Sequence, residues 1–91
     1  VESGKADSFA RYALAMEYKK EGRTADALAA FAQLKEKDAD YLPMYLMAGQ
    51  LLIDSGHGED AKPWLLTGID LAKRKGDGKA QAELEAALAV A

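Results

Sequence analysis

The stretch Gly22–Phe31 reads GRTADALAAF, and its order of small and bulky residues returns 34 positions further along the chain. Small residues are matched by small ones, and bulky apolar residues by bulky ones. The matched pairs are Gly22 with Gly56, Ala27 with Ala61, Phe31 with Leu65, Ala15 with Gly49, and Tyr18 with Leu52. A fixed period of a few tens of residues is typical of stacked repeats. The chain is therefore predicted to be built from copies of one small structural unit.

The composition fits one small soluble domain. The chain has 91 residues, of which 49% are apolar and 30% are charged. A domain of this size hides only about two-thirds of its surface on folding, so its core is thin. The chain has no cysteine, which excludes both a disulfide framework and a thiolate metal site. Stability must therefore come from the packing of helices.

Charge and hydropathy argue against several classes of protein. Twelve Lys and Arg residues against fifteen Asp and Glu residues give a formal charge of −3, which disfavours a nucleic-acid surface. No apolar run reaches the ~18–20 residues that cross a bilayer, and the start of the chain lacks the layout of a signal peptide. We expect residues 1–6 to be a disordered tail, and we take the cytoplasm as the default location.

Residues 7–40 predict a helical hairpin. The first helix, about residues 7–21, has one apolar stripe of Phe9, Tyr12, Ala13 and Met16 and a second of Ala10, Leu14 and Tyr18. A helix with two apolar faces needs two neighbours, or one neighbour and a ligand. Asp7 or Ser8 can cap this helix, Gly22 can end it in the left-handed conformation, and Thr24 can cap the next helix. The loop of two residues requires the helices to be antiparallel.

Residues 41–76 predict a second hairpin. Pro43 opens the third helix, where its missing N–H costs nothing. The fourth helix starts around Glu59 and runs to about Lys75, where Gly76 ends it. The third helix has one face of Met44, Met47, Ala48, Leu51 and Leu52 and another of Leu46, Gly49, Gln50 and Ile53; the inner side of the fourth is Ala61, Trp64, Leu65, Gly68 and Ala72.

Residues 77–91 predict a fifth helix that Asp77 caps. Ala86 lies 34 positions after Leu52, so this helix matches the first helix of a third repeat, although no partner helix follows it. Its apolar side consists of Ala80, Leu84, Ala87, Leu88 and Ala91. A terminal helix of this kind is expected to cover the apolar flank of the last hairpin.

With these residues the chain resembles the tetratricopeptide repeat family, whose 34-residue unit is a helical hairpin with small residues at the helix crossing. Tyr18 stands at the family's aromatic position in the first repeat, and Leu52 replaces it in the second. Ala39 and Lys73 stand where each repeat is expected to end in proline, which indicates a longer fourth helix. The resemblance implies an all-α, right-handed superhelix of five helices, with residues 77–91 as the capping helix.

The resemblance also implies a function. Such repeats are non-enzymatic scaffolds, without a cofactor, that bind peptides or helices in a groove made by the first helices of successive hairpins. Carried over position by position, the partner-binding residues are Phe9, Tyr12, Met16, Lys19, Leu46, Gln50, Ile53 and Leu84, with Ala80 and Ala87 beside them. Tyr12 and Met16 stand where members that bind a terminal carboxylate have Lys and Asn. An apolar or amphipathic protein segment is therefore the expected partner.

Several alternatives stay open. The stripe of Phe9, Tyr12 and Met16 can be a groove, can be buried by the chain's own packing, or can be covered by a second copy in a homodimer. Two repeats are fewer than the ~3 that are usually needed for stability, which favours self-association as the second function. His57 is interpreted as a solvated turn residue rather than a metal ligand. Other residues are given structural interpretations: Met44 and Met47 as core filler, residues 73–75 as a basic helix end, and Trp64 as partly buried.

Overall fold

The computed structural model describes residues 3–91, with side chains from residue 6 onward, as five α-helices joined by short turns. The helices are α1 (Ser3–Lys20), α2 (Thr24–Lys37), α3 (Pro43–Asp54), α4 (Gly58–Lys75) and α5 (Gly78–Ala89). The predicted all-α class and the five helices are confirmed. The chain divides into two compact units, which meet in sequence between Met44 and Tyr45. None of the described helices is both long and apolar enough to cross a membrane.

In unit 1, α1 and α2 form the predicted hairpin. Gly22 has a φ of 78°, so it ends α1 in the left-handed conformation that glycine adopts without strain. The backbone N–H of Arg23 donates to the carbonyl of Tyr18 at 2.9 Å, which closes the turn. The core of this hairpin is made of Ala15, Ala27, Ala30, Phe31 and Leu34, each less than 8% exposed.

The ends of the helices in unit 1 differ from the prediction. α1 begins at Ser3, so residues 3–6 are helical rather than a disordered tail, and Val1 and Glu2 lie outside the described residues. Asp7 and Ser8, the predicted caps, lie inside α1 and therefore do not cap it. The buried Ser8 hydroxyl donates to the Asp38 carboxylate at 2.7 Å, just after the end of α2. Thr24 is the first residue of α2 and not its cap; Arg23 takes the cap position without a side-chain hydrogen bond.

In unit 2, α3 and α4 form the second hairpin around a close helix crossing. A Cβ atom placed on Gly49 would lie 2.5 Å from Cδ2 of Leu65, so any larger residue would force the Leu65 side chain to move. Gly56, with a φ of 81°, ends α3 as Gly22 ends α1. Tyr45, which the sequence did not place in the core, is 1% exposed, and its ring centroid lies 6.0 Å from that of the half-buried Trp64. The long fourth helix is confirmed.

Helix α5 packs on α4. The Asp77 carboxylate accepts a hydrogen bond from the backbone N–H of Ala80 at 3.0 Å, as the predicted cap requires. However, Ala86 is exposed while its counterpart Leu52 is 6% exposed. The buried residues of α5 are Leu84 and Ala87, so this helix does not repeat the burial pattern of α3. It covers the flank of α4 with a different side.

Candidate protein-binding surfaces

An open groove lies between α3 and α5 in unit 2. One cavity of about 590 Å³ and a second of about 350 Å³ share Gln50 and Ala87, so they continue into each other. Leu46, Met47 and Glu83 line one end, and Ile53, Asp54 and Val90 line the other, with Ala86 near the middle. Residue numbers rise in the same direction on both walls, so α3 and α5 run parallel to each other. The name α3–α5 groove is used for this surface.

The groove contains three of the predicted binding residues. Gln50 is exposed, and Leu46 and Ile53 are half-buried, with all three lining the groove. Met47, which was interpreted as core filler, is half-buried and also lines it. Three residues that the family resemblance predicts for partner binding therefore lie on the α3 wall of this groove.

The structure corrects the prediction that Leu84 is a partner-binding residue. Leu84 is 1% exposed, and its methyl groups fill the space beside Gly68, where a Cβ atom would lie 2.9 Å from Cδ2 of Leu84. Leu84 is therefore a core residue, and Glu83, Ala86 and Val90 form the α5 wall in its place. The sequence missed these three because the rotation of α5 follows from the contact between Leu84 and Gly68. The one residue of this wall that the sequence analysis had named is Ala87, which was predicted to lie beside the binding residues.

The predicted binding residues of unit 1 differ in their exposure to solvent. Phe9 is 63% exposed, whereas Tyr12, Met16 and Lys19 are half-buried. The ring centroid of Tyr12 lies 6.3 Å from that of Phe31 and 5.4 Å from that of Tyr41. Burial and, secondly, repulsion from the negative charge of Tyr41 when that side chain is ionised raise the pKa of Tyr12, because both disfavour its phenolate. Tyr12 thus holds unit 1 together as well as reaching its surface.

A second apolar surface of unit 1 surrounds Leu14, which is 49% exposed. It borders a shallow cavity of about 210 Å³ lined by Leu14, Tyr18, Asp26, Ala29, Ala30 and Gln33. The counterparts of Leu14 and Tyr18 one repeat later are Ala48 and Leu52, which are 0% and 6% exposed. Both positions are therefore covered in the second repeat, whereas in the first repeat Leu14 is exposed and Tyr18 is half-buried.

The polar side chains outside the groove lie mainly at helix ends and turns. No group of three His, Cys, Asp or Glu side chains among residues 6–91 could hold a metal ion. His57 is exposed in the turn before α4. The basic residues 73–75 are exposed at the end of α4, where Arg74 pairs with Asp70 at 3.1 Å.

Two solved structures are similar to this chain. The solution NMR structure of a tetratricopeptide repeat domain protein from Salinibacter ruber matches with a TM-score of 0.84 and 37% identity, covering 91% of this chain and 84% of that one. A crystal structure of a tetratricopeptide repeat domain protein from the same organism matches with a TM-score of 0.81 and 37% identity, covering 89% and 90%. No protein-family model and no curated protein matches the chain.

Proposed function

The chain belongs to the tetratricopeptide repeat family, and on that basis we propose that it is a non-catalytic scaffold that binds an apolar or amphipathic segment of a partner protein. Tetratricopeptide repeat domains are in general protein-interaction scaffolds. The finer proposal concerns the binding surface. In unit 2 the partner segment lies in the α3–α5 groove against Leu46, Gln50 and Ile53. In unit 1, taken by itself, the stripe of Phe9, Tyr12, Met16 and Lys19 is a second partner-binding surface.

The observation that carries this proposal is the shape and lining of the α3–α5 groove. Its volume of about 590 Å³ at one end lies in the range of about 300–1,000 Å³ that is usual for ligand pockets. Leu46, Met47 and Ile53 leave part of their side chains open to the groove, and Ala86 and Ala87 leave room beside them. Burial of this apolar surface by a partner side chain would supply the main favourable free energy of binding.

The groove can be tested with a matched pair of alanine positions on α5. Ala86 and Ala82 are both exposed on the same helix, but only Ala86 lines the groove. Peptides of 15 residues would be selected from a random displayed library on the wild-type protein, and their Kd measured by fluorescence anisotropy. We expect Ala86→Gln to weaken binding by about tenfold, or about 1.4 kcal/mol, and Ala82→Gln to leave it unchanged. Equal affinities for the two variants would contradict the groove proposal.

The contribution of unit 1 has its own test. Phe9 is the large side chain of the predicted stripe with the greatest exposure, at 63%, and Leu66 on α4 is similarly exposed at 55%. Phe9→Ala is expected to weaken the selected peptides, because aromatic anchors commonly carry a large share of binding energy. Leu66→Ala serves as the control for loss of an exposed apolar side chain. If Phe9→Ala and Met16→Ala both leave Kd unchanged, the stripe of unit 1 has no part in binding.

Self-association is the second candidate function, and the open surface around Leu14 is the observation that favours it. Leu14 is 49% exposed, whereas its counterpart Ala48 in the second repeat is buried, and a second copy could cover Leu14. Molar mass would be measured by light scattering over a hundredfold range of concentration. Self-association predicts a mass that rises with concentration for wild type and for Leu66→Glu, and a constant monomer mass for Leu14→Glu. A constant monomer mass for the wild-type protein would exclude this function.

A further inference from the structure

The charges that line the α3–α5 groove are all negative. Its charged lining residues are Asp54 and Glu83, and both side chains are exposed. The ion pairs found within residues 6–91 join other side chains. Even Lys79, which lies one helical turn before Glu83, makes no ion pair with it. The two carboxylates therefore face the groove without an internal counter-charge.

The helices that form the groove also end differently from the other helices. α1 has Lys19 and Lys20 in its last turn, α2 has Lys35 and Lys37, and α4 has three basic residues there. α3 and α5 have none. The carbonyl end of a helix carries about half a negative charge, which basic residues normally neutralise. α3 instead ends in Asp54, which adds a negative charge where it is unfavourable for the helix itself.

The parallel course of α3 and α5 brings both of these helix ends, which lack basic residues, to the same end of the groove, next to Asp54. The Asp54 carboxylate and two carbonyl ends therefore lie beside the apolar side chains of Ile53 and Val90. The amino end of α4 lies next to Ala91, and it already has Glu59 and Asp60 in its own first turn. Glu83 lies seven residues before Val90 on α5, roughly 10 Å away along the helix axis at a rise of about 1.5 Å per residue. The Asp54 end is thus the more strongly negative of the two.

We propose that the α3–α5 groove selects partner segments that carry a Lys or Arg side chain next to their apolar residues, with the basic group placed beside Asp54. The partner's cation replaces the basic residue that α3 lacks, and its apolar side chains fill the space beside Ala86 and Ala87. This inference rests on the proposed function, because it specifies the class of segment that the same groove binds.

The probe is the random library of displayed 15-residue peptides, with selected sequences then made as synthetic peptides. We expect the selected sequences to be enriched in Lys and Arg. Asp54→Asn should weaken them by about three- to fivefold, the upper range for a partly exposed ion pair. Glu36→Gln, which makes the same change of net charge on α2 in unit 1, should leave Kd unchanged. Raising NaCl from 0.05 to 0.5 M should weaken wild-type binding more than Asp54→Asn binding, because salt screens exposed charges.

A structural role for Asp54 would give a different result in thermal unfolding. We expect Asp54→Asn to have the wild-type Tm or a higher one, because the substitution removes a negative charge from the negative end of α3. A lower Tm would overturn the proposal. A second outcome would overturn the preference for Lys and Arg but leave the groove proposal standing. In that outcome the selected peptides lack basic residues and bind Asp54→Asn as tightly as wild type, yet they bind Ala86→Gln weakly. No selected peptides, or none sensitive to Ala86→Gln, would overturn the groove function together with that preference.

Discussion

Substitution of Gly68 by alanine should open the packing of α3, α4 and α5 in unit 2. A Cβ atom on Gly68 would lie 2.7 Å from Cβ of Tyr45 and 2.9 Å from Cδ2 of Leu84. Favourable contacts between carbon atoms need about 3.5–4.0 Å, so the new methyl group is about 1 Å too close to both. Tyr45 and Leu84 are each 1% exposed. Because Cβ of Tyr45 is fixed to the backbone, α3 itself must move away from α4.

The magnitude follows from two opposing effects. An extra methyl group in a well-packed core typically costs about 1–3 kcal/mol, whereas replacement of a helical glycine by alanine gains about 1 kcal/mol from helix propensity. The expected net loss of unfolding free energy is therefore about 1 kcal/mol. For a domain of this size that loss lowers Tm by about 4–8 °C.

The matched control is Gly78→Ala, at the start of α5, where an added Cβ would meet no atom within 4 Å. This variant should be as stable as wild type or slightly more stable. Both variants would be unfolded by heat and by urea, followed by circular dichroism at 222 nm. A Gly68→Ala protein with a Tm at or above that of wild type would refute the close packing described here. A Gly78→Ala protein that loses as much stability as Gly68→Ala would refute the explanation by packing.

Three further predictions concern single side chains. Asp77→Ala should lower the unfolding free energy by about 1 kcal/mol, because the carboxylate caps α5; Asp77→Asn, which keeps an acceptor, should retain most of it in the same urea titration. Ser8→Ala should cost about 1–2 kcal/mol, since it removes the 2.7 Å hydrogen bond to Asp38 and leaves a carboxylate oxygen without that donor; an unchanged urea midpoint would contradict the role of this bond. The pKa of Tyr12 is raised in the folded state, so the stability linked to the protonated side chain is fully present below about pH 10 and is lost as pH rises through the folded-state pKa. The fall in unfolding free energy between pH 9 and 11 should therefore be smaller in Tyr12→Phe than in wild type.

Part of the candidate site was predictable because repeats place equivalent residues on equivalent faces. Helical spacing put Leu46, Gln50 and Ile53 on one face of α3, and the family resemblance nominated them for partner binding; in the structure they line the groove. The same reasoning failed for Leu84, because α5 does not continue the repeat in burial. Exposure of Phe9 was also expected, but its partner Tyr12 is held by two other aromatic rings. Contacts of this kind depend on which rings meet in space, and periodicity does not record them.

The sequence by itself determined the number of helices and the places where most of them end. Gly22, Gly56 and Gly76 all adopt a positive φ, and the preference of glycine for this conformation is a local property that can be read from the chain. Pro43 opens α3 for an equally local reason. The repeat period then added the pairing of helices into hairpins.

Only the tertiary structure decided the partner of Ser8 and the rotation of α5. The hydroxyl of Ser8 donates to Asp38, which is 30 residues away in sequence, and no local pattern indicates that pairing. Leu84 turns inward because Gly68 leaves space for it on α4. That rotation places Glu83, Ala86 and Val90 in the groove. The composition of the binding surface thus depends on how one side chain fits against a neighbouring helix, which is a property of the packed core and not of any local sequence pattern.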